Sequence, residues 1–311
     1  MIRYAIEPAT LIERIRVLKP DWLDRAQART LAYEQLQDYG DGTDFWGQIK
    51  QVYIDLQHEK CAYCETKLQG AAYASKVHEV EHFRPKSSVK AWPDRNKAAW
   101  KDFPAGITTG AAHDKGYYRL AYHPFNYAIA CTRCNSTLKS NHFPVRGSRN
   151  VTLADPSLGQ GEDALLLYPV SDVDSDPADI IRFDGVLAVP AQAAGAAHER
   201  ALTTIWFFDL NHQDLTSRRA EMIGFLWGAL ESHRLASNAA DRQFAKDTID
   251  AVCSEAGQFS ACMNAFRQLY QQHRGDAREK AVQARLLGSV PPAQAPQPPP
   301  QPPSPPPTPP A

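Results

Sequence analysis

Apolar positions in the first sixty residues recur at helical spacing. One run extends from Ala9 to Val17 and stops before Pro20. Asp21 stands where a cap would open a second helix, which carries Trp22, Leu23, Ala26, Leu31 and Leu36 toward Gly40. A third is predicted over Asp44 to Leu56, with Phe45, Ile49, Val52 and Leu56 on one face; these aromatics read as core. The period is lost from residue 61 to 149. Between 83 and 125 the chain is irregular, and Trp92, Trp100, Phe103, Tyr117 and Tyr118 alternate with lysines and arginines. That pattern suits either a packed insertion or a nucleic-acid groove built by stacking and charge. Short strands are predicted at 165–169, 180–183 and 186–189, the last two joined by an Asp184-Gly185 turn. Helical periodicity returns over 195–287: Thr203–Leu210, Leu215–His233, Ala239–Cys253 and Phe259–Gln272. From Pro291 onward the chain is almost wholly Pro, Gln, Ala, Ser and Thr, a composition expected to remain disordered. The expectation is an α+β chain, mostly helical, in four stretches: a helical 1–60, a central 61–149, a hairpin-plus-helix 150–287 and a tail 288–311.

Composition narrows the class. With 311 residues, 43% hydrophobic and 10% aromatic, the chain can bury a sizeable core. No run approaches the ~18 apolar residues of a membrane span, and the first residues lack the regions of a signal peptide, so a cytoplasmic protein is expected. Net charge is −1, but residues 76–149 hold thirteen Lys/Arg against five Asp/Glu. Such a basic stretch suits a polyanion.

Chemistry concentrates in that stretch. Cys61-x-x-Cys64 and Cys131-x-x-Cys134 are two metal knuckles; in a reducing compartment, paired Cys-x-x-Cys points to structural zinc rather than disulfides. Between them lies Glu81-His82. Glu81 offers a carboxylate and Asn135, directly after Cys134, an amide oxygen; together they suit magnesium. His82 would take a proton from attacking water. Arg84 and Lys86 follow as candidate phosphate clamps, Arg84 with Glu79 as a competing partner. Glu65 is expected to make a hydrogen bond behind the knuckle rather than a metal bond. His142 has either a structural role or one near the metal. The remaining cysteines, Cys253 and Cys262, read as buried small hydrophobes.

Cys-x-x-Cys, Glu81-His82-x-x-Pro85, Asn126 five residues before Cys131-x-x-Cys134-Asn135, and Lys139 together resemble the HNH endonuclease family. The resemblance implies a ββα-metal finger, with His82 as general base and Glu81 and Asn135 as metal ligands. It further implies that Asn126 ties down the loop bearing the base and that Lys139 touches phosphate. Two departures are that Glu81 stands where Asp or His is commoner, and that 43 residues separate His82 from Asn126. Phe45-Trp46-x-x-Ile49-Lys50, Glu79-Val80-Glu81-His82-Phe83-Arg84-Pro85-Lys86 and the later Leu165–Pro169, Phe183-Asp184-Gly185 and Leu210-Asn211 stretches narrow the likeness. They are similar to the HNH nucleases of bacterial anti-phage systems of the Septu and retron-associated types, over about residues 1–235. That likeness implies an ABC- or SMC-like ATPase partner; this chain has no Gly-rich phosphate loop of its own. The resulting expectation is a magnesium-dependent phosphodiesterase acting on DNA by preference. RNA, including tRNA, and a non-catalytic zinc module that binds nucleic acid or a partner ATPase are the alternatives.

Overall fold

The computed structural model describes residues 1–40, 44–68, 79–156 and 162–288; the proline-rich tail lies outside them. Helix α1 (Pro8–Leu18) opens on Pro at its first position, where the missing N–H has no intrahelical partner to lose. It buries Leu11 and Ile15, one turn apart. Helix α2 (Trp22–Leu36) buries Trp22, Ala26 and Tyr33. Asp21 precedes it, but its carboxylate pairs with Arg25 instead of capping the backbone. The third predicted helix is divided: a 3-10 turn, Trp46–Ile49, runs into α3 (Lys50–Leu56).

Strand β1 (Glu79–His82) pairs antiparallel with β2 (Tyr127–Ala130), Glu81 opposite Ala128 and His82 opposite Tyr127. All of β2 is buried. A wide π-type helix, Arg133–Lys139, follows. The insertion between the strands is packed. Trp92, Trp100 and Phe103 are buried, ring against ring and against Phe207, and Trp100 Nε1 donates to Phe207 O at 3.1 Å.

Leu165 to Pro169, predicted as a strand, is not one. Leu165, Leu166 and Leu167 are buried, flanked by isolated bridges of Val145 with Ala164 and Tyr4 with Val170. An apolar run reports burial, and burial does not require ladder pairing. Beyond it, α4 (Pro177–Ile180) leads into the hairpin of β3 (Ile181–Asp184) and β4 (Leu187–Pro190). Asp184 pairs with Leu187, so the turn is Gly185-Val186, one residue later than predicted. Gly185 takes the positive φ, +57°, that the first position of this tight turn requires.

Helices α5 (Ala196–Phe207), α6 (Gln213–Leu235), α7 (Ala239–Cys253), α8 (Ser260–Gln272) and α9 (Arg274–Gly288) complete the described chain. An alanine stripe, Ala277, Ala281 and Ala284, is buried where α9 lies along α6. Among the described residues no helix is long and apolar enough to cross a membrane.

Candidate metal centre and candidate active site

The two Cys-x-x-Cys knuckles meet although 66 residues separate them. The sulfurs of Cys61, Cys64, Cys131 and Cys134 all lie within 4.8 Å of one another. Cys64 and Cys131 Sγ are 3.9 Å apart, against about 3.8 Å for the edge of a tetrahedron with Zn–S bonds of about 2.3 Å. Burial pushes the Cys61 thiol up, while hydrogen bonds from Cys131 and the other cysteines hold Cys64 well below the ordinary range. Four sulfurs gathered this closely, three of them buried and Cys131 partly exposed, suit a thiophilic divalent ion, and the residues fit zinc.

Backbone geometry explains the convergence. Ala62 N donates to Ile129 O, setting the first knuckle against β2. Gln57, wholly buried, does more. Its Oε1 accepts from Ile129 N at 2.7 Å, and its Nε2 donates to Ile129 O and Lys60 O. A side-chain amide thus supplies β2 with the partner a third strand would have offered. Tyr63 stacks on Phe208 with ring centroids 3.9 Å apart. Arg133 pairs with Asp209, so both knuckles hold the end of α5. Glu65 accepts from Ser260 Oγ and pairs with Lys60 and the Met1 amine; these bonds attach the first knuckle to α8.

Strand alternation places Glu79 and Glu81 on one face of β1, and Val80 and His82 on the other. His82 Nε2 meets Ala121 O at 3.0 Å. A carbonyl only accepts, so Nε2 carries the proton and Nδ1 keeps the lone pair. The rings of Trp46 and Tyr127 meet His82 edge-on at 4.7 and 5.0 Å. Burial, with the nearby Lys86 charge, lowers the imidazole to about 3, so it is neutral at ordinary pH.

Glu81 is buried, and its carboxyl is raised to about 7 by desolvation against the pull of Lys139. Lys139 Nζ lies 3.1 Å from Glu81 Oε1 and 3.3 Å from His82 O. Lys139 is itself wholly buried, which lowers its pKa. The lysine expected on phosphate is therefore occupied inside the protein. The π-type helix sets this up: Asn135 O accepts from Ser140 N five residues on, and the widened turn ends with Lys139 beneath β1. Asn135 turns elsewhere, its Nδ2 donating to Glu79 Oε2 at 2.7 Å. Ser136 and Thr132 donate to the same carboxylate. Glu81 and Asn135, read as two ligands of one cation, thus each hold a different partner.

Asn126 is fully buried and clamps the chain just after His82. Its Oδ1 accepts from Arg84 N at 2.8 Å, and its Nδ2 donates to Arg84 O and Leu120 O, each at 3.0 Å. Arg84, expected at the scissile phosphate, is 4% exposed. Its Nε donates to Glu162 Oε2 at 3.1 Å, so its partner is neither phosphate nor Glu79. Lys86 is half-buried, over the faces of Trp46 and Tyr39. His142 is buried with Nδ1 on Ala91 O, a structural role, and burial lowers it to about 4. Sequence reasoning missed Gln57 and Glu162 as parts of this assembly, placed Glu79 on Arg84 instead of Asn135, and quoted Trp46 without its contact to His82. Their partners lie 36 to 78 residues away, and no local spacing marks such pairs.

No family model matches the chain, and no solved structure matches it. Septu protein PtuB of Bacillus mycoides strain KBAB4 is 29% identical over 174 residues, which are 56% of this chain. The chain spans 50% of the length of that curated relative, and in sequence it is related to this Septu protein.

Proposed function

We propose that the chain is a metal-dependent HNH-type nuclease, the cutting component of a Septu-like anti-phage system, acting with a separate ATPase and preferring DNA. The observation that carries this reading is the state of His82. It is neutral, its Nε2–H is committed to Ala121 O, its Nδ1 keeps the lone pair, and the chain just after it is held by Asn126 at Arg84. A buried imidazole this depressed is a weak base on its own. An incoming phosphodiester brings negative charge beside it and raises its affinity for the proton of attacking water.

Glu81 and Asn135 would hold a hard divalent cation. Glu81 Oε1 faces the Lys139 ammonium at 3.1 Å, so a cation taking that oxygen would displace the lysine, and Asn135 engages Glu79 only through its amide nitrogen, which leaves its side-chain oxygen to offer. Such an ion would supply positive charge to the phosphoryl group. The four-cysteine cluster would hold zinc as a folding constraint, fixing both ends of the strand pair.

The alternative, a non-catalytic zinc module, is favoured by the internal neutralisation of Glu81 by Lys139. Plasmid DNA and bulk tRNA incubated with magnesium or with a magnesium chelator, using wild type and His82→Ala of equal zinc content, separates the two. Magnesium-dependent cleavage abolished in His82→Ala supports the nuclease. Cleavage that survives the substitution removes His82 from the chemistry, and no cleavage by wild type favours the module.

A further inference from the structure

Three cations follow or flank the His82 loop: Arg84, Lys86 and Lys139. Two are neutralised inside the protein, Arg84 by Glu162 and Lys139 by Glu81. Among the described residues, Lys86 forms no ion pair within 4.0 Å. Its ammonium instead lies 4.6 Å from the centroid of the Trp46 ring and 5.3 Å from that of Tyr39. An aromatic face orders an ammonium through its quadrupole but contributes no net negative charge. A carboxylate in direct contact would cancel the cation; the two rings hold it in position with Asp44 and Glu81 acting only at longer range, which leaves it able to take a direct anionic ligand.

The same Trp46 ring meets His82 edge-on, centroids 4.7 Å apart and planes at 88°. One indole therefore touches both the imidazole and an ammonium that has no direct ion pair, with the Asp44 and Glu81 carboxylates acting on it only from beyond salt-bridge distance. The indole is itself set by Tyr122, 5.6 Å away, and Tyr39 is set by its hydroxyl's bond to Asp44 at 2.7 Å. All three cradle residues, Tyr39, Trp46 and Lys86, are half-buried, so the ammonium is held against the rings and remains partly open to solvent.

We infer that Trp46 is a positioning residue that aligns Lys86 with His82, and that the ligand received by the Lys86 ammonium is a nucleic-acid phosphate next to the bond His82 acts on. The inference rests on the nuclease reading for the role of His82, but the phosphate contact is measurable without any cleavage. Arg84 and Lys139 are excluded from that contact by their buried pairs. Lys86 then dominates the electrostatic part of binding at this loop.

The test is binding of a fluorescein-labelled oligodeoxynucleotide, single- and double-stranded, in magnesium-free buffer over a series of KCl concentrations. Lys86→Met should weaken binding on the order of tenfold and flatten the log–log salt slope by about 0.7 to 0.9, the signature of one lost phosphate contact. Trp46→Leu should reproduce most of that loss with the lysine still present, and Trp46→Phe should restore it. The double variant Lys86→Met/Trp46→Leu should bind no more weakly than Lys86→Met alone, because the indole acts through the ammonium. Tyr39→Leu, which leaves the His82 contact intact, repeats the test should Trp46→Leu not fold; zinc content and melting identify that case. In magnesium, Trp46→Leu should lower kcat as well as raise KM, whereas Lys86→Met mainly raises KM.

An unchanged salt slope in Lys86→Met, or additive losses in the double variant, overturns the inference. Failure of wild type to bind either oligonucleotide overturns it too. Binding with the predicted slopes but no cleavage would instead sink the nuclease reading and leave the Lys86–Trp46 phosphate site standing.

Discussion

Asn126→Ala tests the link between the insertion and the loop that carries His82. Asn126 is fully buried. Its removal orphans Arg84 N–H and takes the donor from Arg84 O and from Leu120 O, three bonds of 2.8 to 3.0 Å. Each buried group left unpaired costs about 1–3 kcal/mol, and a water admitted to the vacated volume recovers part of that. A net destabilisation of about 3 kcal/mol follows. At about 2–4 °C per kcal/mol for a chain of this size, the melting temperature should fall by about 6–12 °C. Asn126→Asp should be worse, since it turns a carboxylate toward two carbonyls. The assay is urea and thermal unfolding of zinc-loaded protein, with amide exchange read at Arg84. Should the loss be confined to this loop, Arg84 exchange rises even where the global transition moves less. A transition shifted by less than about 1 kcal/mol together with unchanged Arg84 protection would refute the reasoning.

Replacing Cys64 or Cys134 by Ser should lower soluble yield and zinc content together, because the lost ligand is a folding constraint; metal analysis and melting check it, and full zinc occupancy with normal melting would contradict it. Glu162→Gln strands the buried Arg84 guanidinium, for about 3 kcal/mol of destabilisation by urea unfolding, whereas the double change Arg84→Met/Glu162→Gln should recover part of it. The adjacent Glu81 and His82 should give stability opposite pH slopes in magnesium-free buffer. Glu81 is raised to about 7, so the folded state keeps its proton longer than the unfolded chain, and its contribution, full below about 4.5, is lost as pH rises to about 7. His82 is lowered to about 3, so its contribution is present above about 6.5 and lost as pH falls toward 3. Unfolding midpoints between pH 4.5 and 7 should therefore fall less steeply with rising pH in Glu81→Gln and less steeply with falling pH in His82→Gln, and identical profiles would refute both assignments.

Much of the helical scaffold is legible because helical periodicity is a local property. Leu11 with Ile15, and Trp22 with Ala26, mark their buried faces from spacing alone. The thiol cluster is legible for a chemical reason: Cys-x-x-Cys leaves few alternatives, whatever the length of chain between the pairs. Where the local pattern misled, as at the strand predicted over 165–169, or left two readings open, as in the insertion, packing decided. The Leu165–Leu167 run became buried coil because its neighbours offer isolated bridges rather than a ladder, and the aromatics of the insertion turned inward onto Phe207.

Residue types alone determined that four thiols, a carboxylate, an imidazole and several cations occupy one region of this chain. Only the tertiary structure decided which cation meets which anion. Lys139 went to Glu81 and Arg84 to Glu162, while Lys86 was left to two aromatic rings, and the neutral amide of Asn135 went to Glu79. The physical reason is that a buried charge must find a partner in space. Space here is set by a strand pair, a widened helical turn and a buried asparagine whose contacts cross dozens of residues.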